Sequence, residues 1–131
     1  MSKIKVVKLT QGVLIPEVIE IENKNFLDEC YKHINCRCID VVTGIYDVFY
    51  VDVVVDDEGL LRDDTIVNPI AWYLYSKCNF DALIVGNAIL CGSTEDGDTV
   101  SLSNDFLNKL GDLQFATMDK LHELSLNYLL D

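Results

Sequence analysis

The chain has 131 residues, 22 Asp and Glu against 10 Lys and Arg, and a formal net charge of −12; half of its residues are hydrophobic and two are proline. That apolar content is enough to offset chain entropy by burial, which argues against disorder and for one folded domain, the length being short for two. The charge argues against direct binding to nucleic acid or to anionic membranes, because such a surface repels phosphate. The N-terminal residues carry lysines without a signal-peptide run, and no stretch approaches the ~18 apolar residues of a membrane span, so a cytoplasmic protein is expected.

Ile4–Leu9 is β-rich and bounded by Gln11-Gly12, which predicts a first strand; Val18–Glu22, entered through Pro16, predicts a second. Asn23 or Asn25 is placed to cap a helix running to Ile34, with Leu27, Cys30, Tyr31 and Ile34 on one face. Two β-like runs follow, Cys36–Val42 and Tyr46–Val55, and Thr43-Gly44-Ile45 between them reads as a hairpin loop. In the second run Phe49, Val51 and Val53 face one way, and Val48, Tyr50 and Asp52 the other. Asp56-Asp57-Glu58-Gly59 is a turn signal, and Leu60-Leu61-Arg62 is expected to return as an edge strand.

Asn68-Pro69 combines a cap residue with proline at the first helical position, predicting a helix of about two turns. Ala82–Val85 and Ala88–Cys91 flank Gly86-Asn87, as a strand with a bulge or as a tight hairpin. Gly92–Asp98 is a polar loop, and two helices, Asn104–Leu113 and Met118–Leu130, finish the chain. Leu121, Leu124 and Leu129 recur at helical spacing in the last, with Asp119, Glu123 and Asp131 toward solvent. Strands and helices do not alternate as β-α-β units, so the expected fold is α+β: a single domain, mainly antiparallel β-sheet packed with short helices, with a C-terminal helical segment over about 104–130.

Chemistry-bearing patterns are few. The spacing Cys30-x2-His33-x2-Cys36-x-Cys38 matches no zinc finger or ribbon, and Cys36 and Cys38, two apart in a predicted strand, read as small buried hydrophobes on one face. With Cys78 and Cys91 they make five thiols, expected to be reduced and metal-free. The glycines of the two acidic loops lack a Glu six residues later, since Gly59 is followed there by Thr65 and Gly97 by Ser103, so neither is an EF-hand. No dinucleotide fingerprint, P-loop or nucleophile elbow is present, so no catalytic residue, cofactor or metal is assigned and the chain is not expected to be an enzyme.

The acids are the strongest pattern. Between Asp40 and Asp64 stand eight acids and one base, Arg62; between Lys77 and Lys109 there is no base at all, while Asp81, Glu95, Asp96, Asp98 and Asp105 are present. If the sheet brings the two segments together, they form one continuous negative surface. Asp52, Asp56, Asp57, Glu58, Asp63, Asp64, Glu95, Asp96 and Asp98 are therefore the candidate partner-binding residues. Trp72, Tyr73 and Tyr75 are the alternative, an aromatic pocket for a base or other small ligand. Aromatic rings at helical spacing are more often core, and the few lysines and arginines offer little to an anionic ligand.

The order of Leu27–Ile34, the strand pair to Val55, Asp57-Glu58-Gly59-Leu60-Leu61, Asn68 with Ala71, and Ile84-Val85-Gly86-Asn87-Ala88 resembles a small uncharacterised family, numbered as a domain of unknown function and found in phages, plasmids and low-GC Gram-positive bacteria. The resemblance covers about residues 25–92. It departs at Ile34-Asn35-Cys36, where the family pattern has glycines, and the last forty or so residues lie outside it. It implies a mobile-element product acting inside a bacterial host. Together with the acidity, this leads to the expectation of an inhibitor of a host nucleic-acid-targeting defence system, of the anti-CRISPR or anti-restriction type. Its partner would be a basic protein or nucleoprotein complex, bound by nucleic-acid mimicry. Nucleotide sequestration and a non-enzymatic accessory role are the alternatives, and a homodimer across an exposed sheet edge is a common arrangement for such a domain.

Overall fold

The β-branched runs of the chain pair into one antiparallel sheet. A computed structural model describes residues 3–78 and 83–130, with side chains to residue 125; Asp81, Ala82 and Asp131, and the side chain of Leu129, fall outside what it describes. Among the described residues the strands are β1 (Lys3–Leu9), β2 (Glu17–Glu22), β3 (Ile39–Tyr46), β4 (Phe49–Asp56), β5 (Ala88–Ser93) and β6 (Thr99–Val100). Their order is β2-β1-β5-β4-β3, with β6 paired to the far end of β5. The helices are α1 (Phe26–Ile34), α2 (Pro69–Tyr75), α3 (Asn104–Leu107) and α4 (Leu110–Leu130). The α+β expectation holds: antiparallel sheet, short helices and a helical C-terminal segment.

Strand alternation divides the interior into two cores. Val7, Leu9, Val51, Val53, Val55, Ala88 and Leu90 face α2, α3 and α4, where Ile70, Leu74, Phe106 and Leu113 meet them. Ile4, Val6, Ile21, Val54, Ile89 and Cys91 face α1, which contributes Cys30 and Ile34. The predicted alternation of β4 is observed: Phe49, Val51 and Val53 lie against the larger core, while Val48 and Tyr50 are exposed. Phe49 also meets the Phe106 ring edge-on, centroids 5.5 Å apart.

Several predicted boundaries move, each for a physical reason. Gly44 is not in the hairpin loop; it lies inside β3 opposite Val51, because a Cβ there would come within 2.9 Å of Leu74 Cβ and of Val53 Cγ2. The reversal falls instead at Asp47-Val48, between the terminal pair Tyr46 and Phe49, where Asp47 takes φ 54°, a conformation Asp tolerates better than most residues. Cys36 and Cys38 are not in a strand. Asn35, left-handed at φ 62°, ends α1, and both Asn35 N and Cys36 N donate to Tyr31 O, so β3 starts only at Ile39. Leu27 faces solvent, and Phe26 packs on the smaller core in its place.

Leu60-Leu61-Arg62 forms no edge strand. Gly59–Leu61 closes a 3-10 turn, with Leu61 N donating to Glu58 O and Arg62 N to Gly59 O. Residues 83–85 do not pair with β5: Val85 bridges to Val67, and β5 lies between β1 and β4. The last helix begins at Leu110 rather than Met118. Thr117, which lies between the two expected helices, is buried and donates its hydroxyl to Leu113 O, so the helix runs through it. Leu124 is exposed there.

Candidate functional site

The chain from Asp56 to Thr65 leaves β4 and is folded around Arg62. The Asp56 side chain, 3 % exposed, accepts from Glu58 N (2.9 Å) and from Arg62 Nη1 (2.9 Å). The same guanidinium donates to Asn35 O (2.7 Å) through Nη1 and to the Asp64 carboxylate through Nε (3.0 Å) and Nη2 (2.9 Å). Thr65 Oγ1 donates to Gly59 O at 2.7 Å. Gly59 itself is buried, and a Cβ there would stand 3.0 Å from Val85 Cγ2 and 3.1 Å from Val85 O; the turn is seated directly on residue 85. A second guanidinium, Arg37, grips Glu58 in a fork through Nε (2.7 Å) and Nη2 (3.0 Å).

These contacts change the charge of the turn. Its five acids face two arginines, leaving three net negative charges, and Asp57 and Asp63 are the two with no ion pair among the described residues. Hydrogen bonds from Arg37 and Arg62 hold the Glu58 and Asp64 carboxyls below their ordinary range. Between the arginines lies an open cleft of about 590 Å³, lined by Asn35, Cys36, Arg37, Asp56, Glu58, Leu61 and Arg62. Burial and the Asp56 charge push the Cys36 thiol up, away from the reactive thiolate. With four of its five N–H groups already directed to Asn35, Asp56 and Asp64, Arg62 serves the turn's order rather than an anionic ligand.

The other acidic segment does not join this surface. Glu95, Asp96 and Asp98 sit in the β5–β6 connection, all exposed and without ion pairs among the described residues. The register sets Val54 opposite Ile89 and Asp52 opposite Cys91, so the 56–64 turn lies by the start of β5 while the 95–98 loop leaves its end. The six residues of β5 separate them by about 17 Å at ~3.3 Å per residue, roughly twice the ~8 Å screening length at physiological salt. The expected continuous negative surface is therefore two separate patches. Asp52, half-buried in the middle of β4, belongs to neither; it lies close enough to Cys91 that its charge, after burial itself, helps push that thiol up to about 12.

The lysines redistribute the charge further. Lys3, Lys5 and Lys8 on β1 stand opposite Glu22, Glu20 and Glu17 on β2, so this ribbon is balanced and the negative excess lies elsewhere. The aromatic alternative sits on α2. Tyr73 and Tyr75 pack against the larger core from α2, and Lys77 Nζ stands 4.6 Å from the Tyr73 ring centroid; Trp72 is half-buried on the same helix. Cys30 and Cys91 are buried, Cys36 is half-buried, and Cys38 and Cys78 are exposed, so the reading of Cys36 and Cys38 as a buried pair is corrected. His33 turns toward Glu29 at 3.7 Å, and among the described residues no group of three His, Cys, Asp or Glu is placed to hold a metal.

One feature of the turn escaped the sequence reading. Leu60 and Leu61, expected in an edge strand, are 70 % and 83 % exposed at its tip. The signal for it was the spacing of Asp56, Arg62 and Asp64, which lets one guanidinium close the turn.

The turn lies inside a stretch of the chain that matches a known family. A family model described as a domain of unknown function (DUF3846) matches residues 4–114, and the chain belongs to that family. The match is wider than the resemblance over 25–92: it takes in β1, β2, α3 and the first turn of α4. No curated protein and no solved structure matches the chain.

Proposed function

We propose that the protein works by binding rather than catalysis, as an acidic inhibitor that docks on a basic host protein or nucleoprotein complex, in the manner of an anti-CRISPR or anti-restriction protein. The observation that carries this reading is the placement of unneutralised carboxylates. The β1 lysines are balanced by β2, while Asp57 and Asp63 at one end of the sheet, and Glu95, Asp96 and Asp98 at the other, stand exposed without partners among the described residues. Such patches attract basic surfaces and speed encounter more than they add affinity.

The two-patch arrangement favours docking at two points over imitation of a continuous phosphate backbone, which carries a charge every ~1.7 Å of duplex axis. The test is phage plating on bacterial hosts carrying defined CRISPR or restriction systems, with and without the protein. Restored plating is expected for at least one system. It should be lost in the variant Asp57→Lys/Asp63→Lys or the variant Glu95→Lys/Asp96→Lys/Asp98→Lys, both of which spare the arginine-paired carboxylates. Protection that survives both charge reversals would refute the acidic-docking reading.

A further inference from the structure

We infer that Leu60 and Leu61 form a preformed apolar anchor, and that the partner surface it fits is a protein pocket lined by apolar side chains and rimmed by Lys or Arg. This rests on the binding reading above and names the chemistry that gives that contact its affinity.

Two adjacent leucines at 70 % and 83 % exposure are not explained by the fold, since neither belongs to either core. They are also held in place. The Asp56–Arg62 pair, the Thr65 bond to Gly59 O and the seat of Gly59 on Val85 fix the backbone on both sides of them. Apolar area on an ordered turn loses little further freedom on binding, which is the property of an interface anchor. The apolar surface continues on either side: Leu60 shares a small cleft with Leu83 and Val85, and Leu61 borders the larger cleft by Cys36. Leu83 is itself half exposed.

Charge selects among occupants. Asp57 and Asp63, exposed and without ion pairs among the described residues, bracket the leucines in sequence. A second copy of the chain meeting it through the same turn would bring these acids against each other, and nucleic acid would bring phosphates against them. A pocket with basic residues on its rim meets both requirements: it buries the leucines and pairs the acids.

The test uses the isotope-labelled full chain and two synthetic peptides of equal length and charge, one of leucine and lysine, the other of serine and lysine. Amide shifts on titration locate each, and calorimetry gives affinities at low and physiological salt. The leucine peptide is expected to shift residues 57–63 and 83–85 and to bind roughly tenfold or more tightly than the serine peptide. Leu60→Ser/Leu61→Ser should erase that difference, and Asp57→Asn/Asp63→Asn should flatten the salt dependence. The single variants Leu60→Ser and Leu61→Ser replace the double one if it fails to fold. Equal affinity for both peptides, a leucine-peptide footprint elsewhere, or full retention of binding without the leucines would overturn the anchor while leaving charge-driven docking intact. If neither peptide binds at low salt, the anchor and the binding reading both fail.

Discussion

Replacing Asn68 should damage this domain more than replacing most of its apolar residues. Asn68 is fully buried, and its side chain uses both ends: Oδ1 accepts from Ala71 N (3.3 Å) to cap α2, and Nδ2 donates to Leu9 O and Gly86 O, each at 2.9 Å. Asn68→Ala removes the cap, typically ~1 kcal/mol, and takes a donor from two carbonyls at a buried site, about 1–2 kcal/mol each. The expected loss is about 3–5 kcal/mol, a large part of the ~5–15 kcal/mol of an ordinary domain. Asn68→Ser keeps only the cap acceptor and should recover ~1 kcal/mol of it. Asn68→Asp keeps the cap but turns a carboxylate toward two carbonyl oxygens. Burial raises that carboxyl above its unfolded ~3.9, so relative to wild type this variant should lose stability as pH rises from there through the raised value. The assay is urea unfolding followed by the fluorescence of Trp72, the single tryptophan, whose backbone N–H donates to the Asn68 carbonyl, with far-ultraviolet dichroism as the two-state check. A loss below about 1 kcal/mol for Asn68→Ala, or equal losses for Ala and Ser, would refute the double-tie argument.

Gly44→Ala should destabilise by about 1–3 kcal/mol in the same assay, because its Cβ meets Leu74 and Val53 at 2.9 Å inside a paired strand. A thiol reagent should label Cys38 and Cys78 quickly in the native protein, and Cys30 and Cys91 only on unfolding, burial having pushed both of the latter thiols up to about 12; rapid labelling of Cys30 would contradict their packing. Glu58 and Asp64 have depressed carboxyl pKa values in the folded state, so the support they give is present above their unfolded values and is lost as pH falls through the lower folded ones. Carboxyl resonances followed from neutral pH downward should titrate below the ordinary range of Glu and Asp, with hydrogen exchange at residues 57–64 rising over the same interval; ordinary midpoints would show that the arginine pairs do not persist in solution.

What the sequence made legible were features that a local signal determines. Asn68-Pro69 started α2 where a cap and an N1 proline predict it, and the β4 pattern placed its valines on the correct faces. The failures come where a residue has a distant partner. Gly44 carries a turn signal, yet the approach of Leu74 thirty residues later is what requires glycine there. Asn35 looks like an interruption before a strand, whereas its left-handed backbone is the helix stop that keeps Cys36 and Cys38 out of β3. For the candidate site, the acids were visible one by one, but their pairing was not. Arg62 is one base among eight acids in the sequence and the centre of four hydrogen bonds in the fold.

That pairing decides how the acidic turn can act. A buried carboxylate without a partner is costly, so reversing Asp56 would do more than remove charge: it would set a cation beside Arg62 in a site with little water. The charges at Asp56, Glu58 and Asp64 are thus committed to the shape of the turn, and the charges left for a partner are those of Asp57 and Asp63. Two exposed carboxylates supply steering and modest pair energies, typically under ~1 kcal/mol each. Exposed leucines offer more, at about 1.5–3 kcal/mol for each side chain fully buried. On these magnitudes, what the Arg62-centred turn contributes to recognition is the fixed presentation of Leu60 and Leu61, and its acids set which surfaces come near enough to meet them.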